Sequence, residues 1–160
     1  MQSSASVDLL LGTWHLLRWE ISYSDARAPT LPFGANATGM IVYATDGWMN
    51  ACIARSGRAH LSSDSVRSAP QAQRLAAFES YFQYAGRYEV RTANGQLQVV
   101  HTVTHALNPN FVGTQQVRNM HFSSDGALTL SASDSVPGTT VSRHHRLLWS
   151  RQVQTVGAAI

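Results

Sequence analysis

Two histidines, two tyrosines and an arginine fall where neighbouring β-hairpins would bring them together. Residues 96–118 read QLQVVHTVTHALNPNFVGTQQVR. The first part alternates. Leu97, Val99, His101, Val103, His105 and Leu107 share one face of a strand, and Gln98, Val100, Thr102, Thr104 and Ala106 share the other. The more apolar face belongs in a core, and it carries both histidines. Asn94–Gly95, just before it, has the composition of a two-residue turn. Pairing outward from that turn sets Val90 opposite Val99, Tyr88 opposite His101, Gly86 opposite Val103 and Tyr84 opposite His105. After a loop from Asn108 to Gly113, the strand opening at Gln115 adds Gln116 and Arg118 to the same face. Matching parities then put Val103 near Arg118 and His105 near Gln116.

Imidazole exchanges protons near neutral pH, and a guanidinium or phenol in an apolar site stabilises an oxyanion. The catalytic expectation is therefore His101 or His105 moving a proton, with Arg118 and Tyr88 holding the developing negative charge. The competing reading gives each histidine a hydrogen bond to a neighbouring tyrosine and no reaction. Arg118 inside a core needs an acceptor, because an unpaired buried charge is costly. Glu20 is the internal candidate; a ligand carboxylate, enolate or phenolate is the alternative.

Other chemistries have less support. His101 and His105 are four apart, which separates their backbones by about 13 Å on a strand, too far to converge on one metal ion. His144 and His145 point to opposite faces of a strand. No metal or cofactor is expected. No G-x-S-x-G elbow accompanies a Ser/His/Asp set. The twelve basic residues are all arginine and are scattered, which argues against nucleic acid as a partner despite the net charge of +3. Cys52 is the only cysteine, so an internal disulfide and a C-x-x-C site are excluded. No apolar run approaches a membrane span, and the first residues lack a basic leader, so a soluble cytoplasmic protein is the expectation.

The 160 residues suit one domain with a sizeable core, ordered from about 9 to 153. Residues 1–8 read as frayed. TWHLLRWEISY, 13–23, is a long strand whose inward face is ambiguous: Trp14, Leu16, Arg18 and Glu20 oppose Leu17, Trp19, Ile21 and Tyr23, and a bulge would reconcile the two sets. Thr38–Thr45 and Trp48–Ala54 flank Asp46–Gly47. A two-residue turn there turns Met40, Val42, Ala44, Met49, Ala51 and Ile53 inward and leaves Tyr43, Trp48 and Cys52 outward, with Tyr43 and Trp48 as a possible dimer patch. Pro70 starts a helix over Gln71–Gln83 that plugs or flanks one end of the sheet. Ser124–Asp125–Gly126 makes a three-residue turn that pairs Phe122 with Leu128 and Met120 with Leu130. The last strand, Val141–Arg151, turns Val141, Arg143, His145, Leu147 and Trp149 inward. These elements make an all-β fold with one short helix: an eight-stranded antiparallel up-and-down β-barrel, wide enough for one small ligand.

The chain resembles the bacterial and fungal lipocalin-like domain family. The matching segments are Gly12–Thr13–Trp14 with Trp19–Glu20, Thr38 to Tyr43, Asp46–Gly47, Tyr81 to Val90, Asn108 to Thr114 with Gln116 to Arg118, and Leu147 to Arg151. They run in order through nearly the whole sequence. The resemblance implies a calycin-type barrel with an apolar cavity and a structural pair of Arg151 on Trp14. It implies no single activity, since such barrels bind hydrophobic small molecules and some act as cofactor-free isomerases, cyclases or lyases.

The expected site joins both lines of reasoning. Glu20, Met40, Val42, Met49, Ala51, Ile53, Tyr84, Val103, Gln116, Met120, Phe122, His145 and Trp149 would surround the ligand, and His101, His105, Arg118 and Tyr88 would act on it. The partner would be a small hydrophobic molecule, and the protein a monomer or homodimer. Its function would be that of an isomerase, cyclase or lyase for a carbonyl, polyene or aromatic compound, or of a carrier for one.

Overall fold

Strands joined by short turns close on themselves. Residues 4–152 are described by the computed structural model of the chain. In order they form helix α1 (Ser4–Leu10), strands β1 (Gly12–Tyr23), β2 (Thr38–Tyr43) and β3 (Trp48–Ala54), helix α2 (Gln71–Glu79), then β4 (Tyr81–Ala93), β5 (Gln96–Ala106), β6 (Gln115–Phe122), β7 (Leu128–Ser135) and β8 (Ser142–Ser150). Each strand pairs antiparallel with its neighbours in sequence, and β8 closes onto β1 to complete an eight-stranded barrel. Of the stretch expected to fray, residues 1–3 lie outside the described residues, as does residue 153.

Turn chemistry sets the registers. Asn94 and Gly95 both have positive φ, 51° and 74°, as a two-residue turn demands, and Val90 faces Val99 while Tyr88 faces His101. The Gly126 turn likewise sets Phe122 opposite Leu128. Asp46–Gly47 behaves differently. Only Gly47 takes a positive φ (83°), Ala44 accepts from the Gly47 N–H, and the loop holds three residues instead of two. Tyr43 therefore faces Met49, Ile41 faces Ala51 and Gly39 faces Ile53. The one-residue change flips β2 relative to the expectation. Ile41 and Tyr43 are buried, while Met40 is 42% exposed and Val42 lies on the outer face.

Two bulges re-aim side chains. In β1 the register shifts between Leu16 and Arg18, so Trp14 and Leu16 point inward below the shift and Trp19 and Ile21 above it. In β5 the extra residue is Thr104: Gly86 faces Val103, but Ala85 faces His105 and Tyr84 faces Ala106. His105 is thereby turned out to solvent, and Ala106 takes its place against the core.

One end of the barrel is closed by the chain itself. Trp14 donates from Nε1 to the Leu10 carbonyl at 2.8 Å, and Leu10 is fully buried. The Arg151 guanidinium stacks 4.1 Å from the Trp14 ring centroid and donates to the Leu9 and Leu11 carbonyls. Ser4–Leu10, part of which was expected to fray, thus forms this floor as a short helix. Helix α2 ends at Glu79, earlier than expected, because β4 begins at Tyr81. It buries none of its side chains, with Leu75 54% and Phe78 48% exposed, so it flanks the barrel and does not plug it.

Candidate functional site

The half of the barrel next to the floor is solid. Trp14, Leu16, Met49, Val90, Val99, Met120 and Leu128 fill it, with Phe122 packed against them. The other half holds a cavity of about 460 Å³ that opens between the ends of the strands. Trp19, Ile41, Ala51, Ile53, Leu130, Leu147 and Trp149 make its apolar wall. Phe82, Tyr84 and Phe111 form one side of the mouth. Phe111 rides on the β5–β6 loop, with its ring 5.6 Å from Phe82 and 6.2 Å from Tyr84. Asn108 caps that loop by accepting from the Asn110 N–H, which fixes where Phe111 sits.

Polar groups enter this wall from two places. Asp134, Arg143 and His145 cluster at the mouth, where β7 and β8 pair. Arg143 donates to Asp134 at 2.6 and 2.8 Å, and His145 Nε2 lies 3.3 Å from the same carboxylate. The hydrogen bond from Arg143 holds the Asp134 carboxyl below its ordinary range. Burial lowers the His145 imidazole, so it favours the neutral base, with Asp134 opposing the shift.

Deeper in, β6 contributes Gln116 and Arg118. The register is Val99 opposite Arg118 and His101 opposite Gln116, four residues from the expected alignment but with the same parity. Arg118 therefore does face the cavity. It donates to the Val117 carbonyl at 2.9 Å and to Gln116 Oε1 at 3.2 Å. Glu20 does not partner it. That carboxylate lies on the outer face, bound by Arg18 two residues before it. Among the described residues Arg118 has no ion pair.

Beneath the cavity lies a buried chain of three groups. His101 is fully buried, with Nε2 2.9 Å from the Tyr43 hydroxyl and Nδ1 2.7 Å from the Tyr84 hydroxyl. Burial, reinforced by the Arg118 charge, pushes this imidazole down to about 3, so it is neutral at physiological pH. Burial also raises the Tyr43 and Tyr84 phenols above their ordinary value. Tyr88 donates to the Ala44 carbonyl at 2.8 Å and stands away from the cavity.

The expected site residues therefore divide into three groups. Arg118, Ala51, Ile53, Tyr84, Gln116, His145 and Trp149 line the cavity. His101, Met49, Val103, Met120, Phe122 and Tyr88 lie in the packed interior around it. Glu20, Met40, Val42 and His105 are on the outer face: the β1 bulge turns Glu20 out, the Gly47 turn Met40 and Val42, and the Thr104 bulge His105. Tyr43, expected outside, is 1% exposed and bonded to His101. Sequence reasoning missed Phe82 and Phe111, and left Trp19, Ile41, Leu130, Asp134, Arg143 and Leu147 out of the expected site. For the first two, the one available signal was an aromatic residue on each side of the strand ends.

Among the described residues no cluster of three His, Cys, Asp or Glu is placed to hold a metal, and no helix is long and apolar enough to cross a membrane. The fold and the mostly apolar cavity define a calycin-type small-molecule barrel. Residues 11–152 match the lipocalin-like domain model, and the chain belongs to that family. Barrels of this family bind small hydrophobic ligands in their interiors. No curated protein is similar to the chain at a significant level.

Proposed function

We propose that this barrel binds a small apolar molecule ending in an anionic head group, with the apolar body against Trp19, Leu147 and Trp149 and the head at Arg118. The observation that carries the reading is the Arg118 guanidinium: partly buried in a mostly apolar wall, with neutral hydrogen-bond partners only. A cation held there is destabilising until an anion neutralises it. The cavity volume of about 460 Å³ lies within the range of about 300–1,000 Å³ usual for small-molecule sites.

The test compares cis-parinaric acid with its methyl ester by fluorescence titration. The acid is expected to bind more tightly. Arg118→Met should weaken the acid by roughly ten- to a hundredfold, as for a lost hydrogen bond to a charged group, and leave the ester unchanged. Ala132→Trp, which fills the cavity, should abolish both. Acid binding indifferent to both substitutions would overturn the proposal.

A second reading, a cofactor-independent isomerase, cyclase or lyase, draws support from His145. It is hydrogen-bonded to Asp134, favours its neutral form and lines the same cavity as Arg118. It would take a proton from carbon while Arg118 held the enolate. Neither of the expected bases fits this role. His101 has both ring nitrogens engaged, and His105 is outside. Solvent deuterium exchange into the acidic carbon of 2-tetralone, accelerated by the protein and lost in His145→Gln, is the expected result. Exchange no faster than buffer would leave the carrier reading alone.

A further inference from the structure

The Tyr43–His101–Tyr84 chain can be counted proton by proton. A neutral imidazole has one N–H, and two phenols have two O–H groups, so three protons serve two hydrogen bonds. One hydroxyl proton is left over, and the histidine tautomer decides where it goes. With the ring proton on Nε2, His101 donates to Tyr43 and Tyr84 donates to Nδ1. The spare O–H then belongs to Tyr43. That residue is 1% exposed, does not line the cavity, and has no second hydrogen-bond partner among the described residues. Leaving a buried donor unsatisfied costs about 1–3 kcal/mol. With the ring proton on Nδ1, Tyr43 donates to Nε2, His101 donates to Tyr84, and the spare O–H belongs to Tyr84. Tyr84 does line the cavity, as does Arg118.

We infer that the Tyr43–His101–Tyr84 chain is fixed in the direction Tyr43 to His101 to Tyr84, and that the Tyr84 hydroxyl is a second head-group donor beside Arg118. The two make a pair of donors side by side. It suits a head that only accepts: a carboxylate, an enolate or a phenolate, and not an amine. The ligand half of this inference rests on the anionic-ligand reading above; the direction of the chain does not. Tyr43 and His101 never touch the ligand. They are positioning residues, and their effect is to leave the Tyr84 proton nothing to bond except the guest.

The direction is read on the wild-type protein by long-range proton–nitrogen NMR correlation of nitrogen-15-labelled histidine. The expected result is His101 protonated at Nδ1 alone, the tautomer that free histidine disfavours. Protonation at Nε2, or at both nitrogens at pH 7, overturns the inference without any ligand being present. The donor role is read with cis-parinaric acid. Tyr84→Phe should lower its affinity about tenfold, equivalent to about 1.4 kcal/mol. Should Arg118→Met weaken the acid while Tyr84→Phe binds it as wild type does, the second donor is wrong and the anionic-ligand reading stands. Should the acid fail to enter the barrel at all, the anionic-ligand reading and the donor role fall together, and an Nδ1 proton still upholds the direction of the chain.

Discussion

Arg118 and Gln116 are joined by a 3.2 Å hydrogen bond from guanidinium to amide oxygen, two residues apart on the same face of β6. No carboxylate completes the arrangement among the described residues. Removing a charge of this kind relieves the empty protein. Arg118→Met is therefore expected to leave the unfolding free energy in urea unchanged or to raise it by about 1 kcal/mol, while acid binding falls. A loss of more than about 2 kcal/mol would mean that the cation holds the fold together.

The buried imidazole makes stability depend on pH. His101 has an ordinary value of 6.5 in the unfolded chain and about 3 in the barrel, so the unfolded state binds the extra proton between those limits. The contribution is intact above pH 6.5 and is lost as pH falls towards 3. The slope approaches about 1.4 kcal/mol per pH unit in that window. His145, also lowered, adds in the same direction. In His101→Gln, urea midpoints measured from pH 7 to 4 should fall less steeply than in wild type.

Gly86 sits where β4 crosses the Thr104 bulge. A Cβ there would stand 2.0 Å from the Thr102 carbonyl oxygen and 3.0 Å from the Thr104 nitrogen, and both are backbone atoms that cannot rotate away. Gly86→Ala should cost about 3 kcal/mol, as a lowered urea midpoint or loss of soluble protein. A variant as stable as wild type would show that the bulge is not as tight as described.

The floor contact is open to the same kind of test. Arg151→Leu removes the stacking on Trp14 and the two bonds to the Leu9 and Leu11 carbonyls. The expected loss is about 2 kcal/mol, or roughly 6 °C in Tm, with the affinity for cis-parinaric acid unchanged. A fall in affinity would mean that the two halves of the barrel are coupled.

What sequence alone could read was whatever depends on local turn chemistry and alternation. Asn94–Gly95 and the Gly126 turn carry their registers in their own residues, and they set Tyr88, His101 and Met120 correctly. Arg118 could be read as inward because only parity was needed. Failures came where one extra residue decides a face. The Asp46–Gly47 pair is compatible with loops of two or three residues, and the choice between them moved Tyr43 in and Met40 out. Thr104 looks like any other strand threonine, yet the bulge there sends His105 outside. Glu20 could not be resolved by pattern, because the β1 bulge between Leu16 and Arg18 decides which face the Arg18–Glu20 pair takes.

With Leu10 and Trp14 sealing one end, the cavity opens at the other, between Phe111 and the Asp134–Arg143 pair. A guest held at Arg118, as proposed above, would arrive charged end first and leave by the same line. Whatever hangs from its far end stays at the threshold. On that proposal, molecules that share the head and the apolar stretch within the wall and differ only beyond the mouth would be held alike. One still tethered to a larger body could be gripped without being released from it.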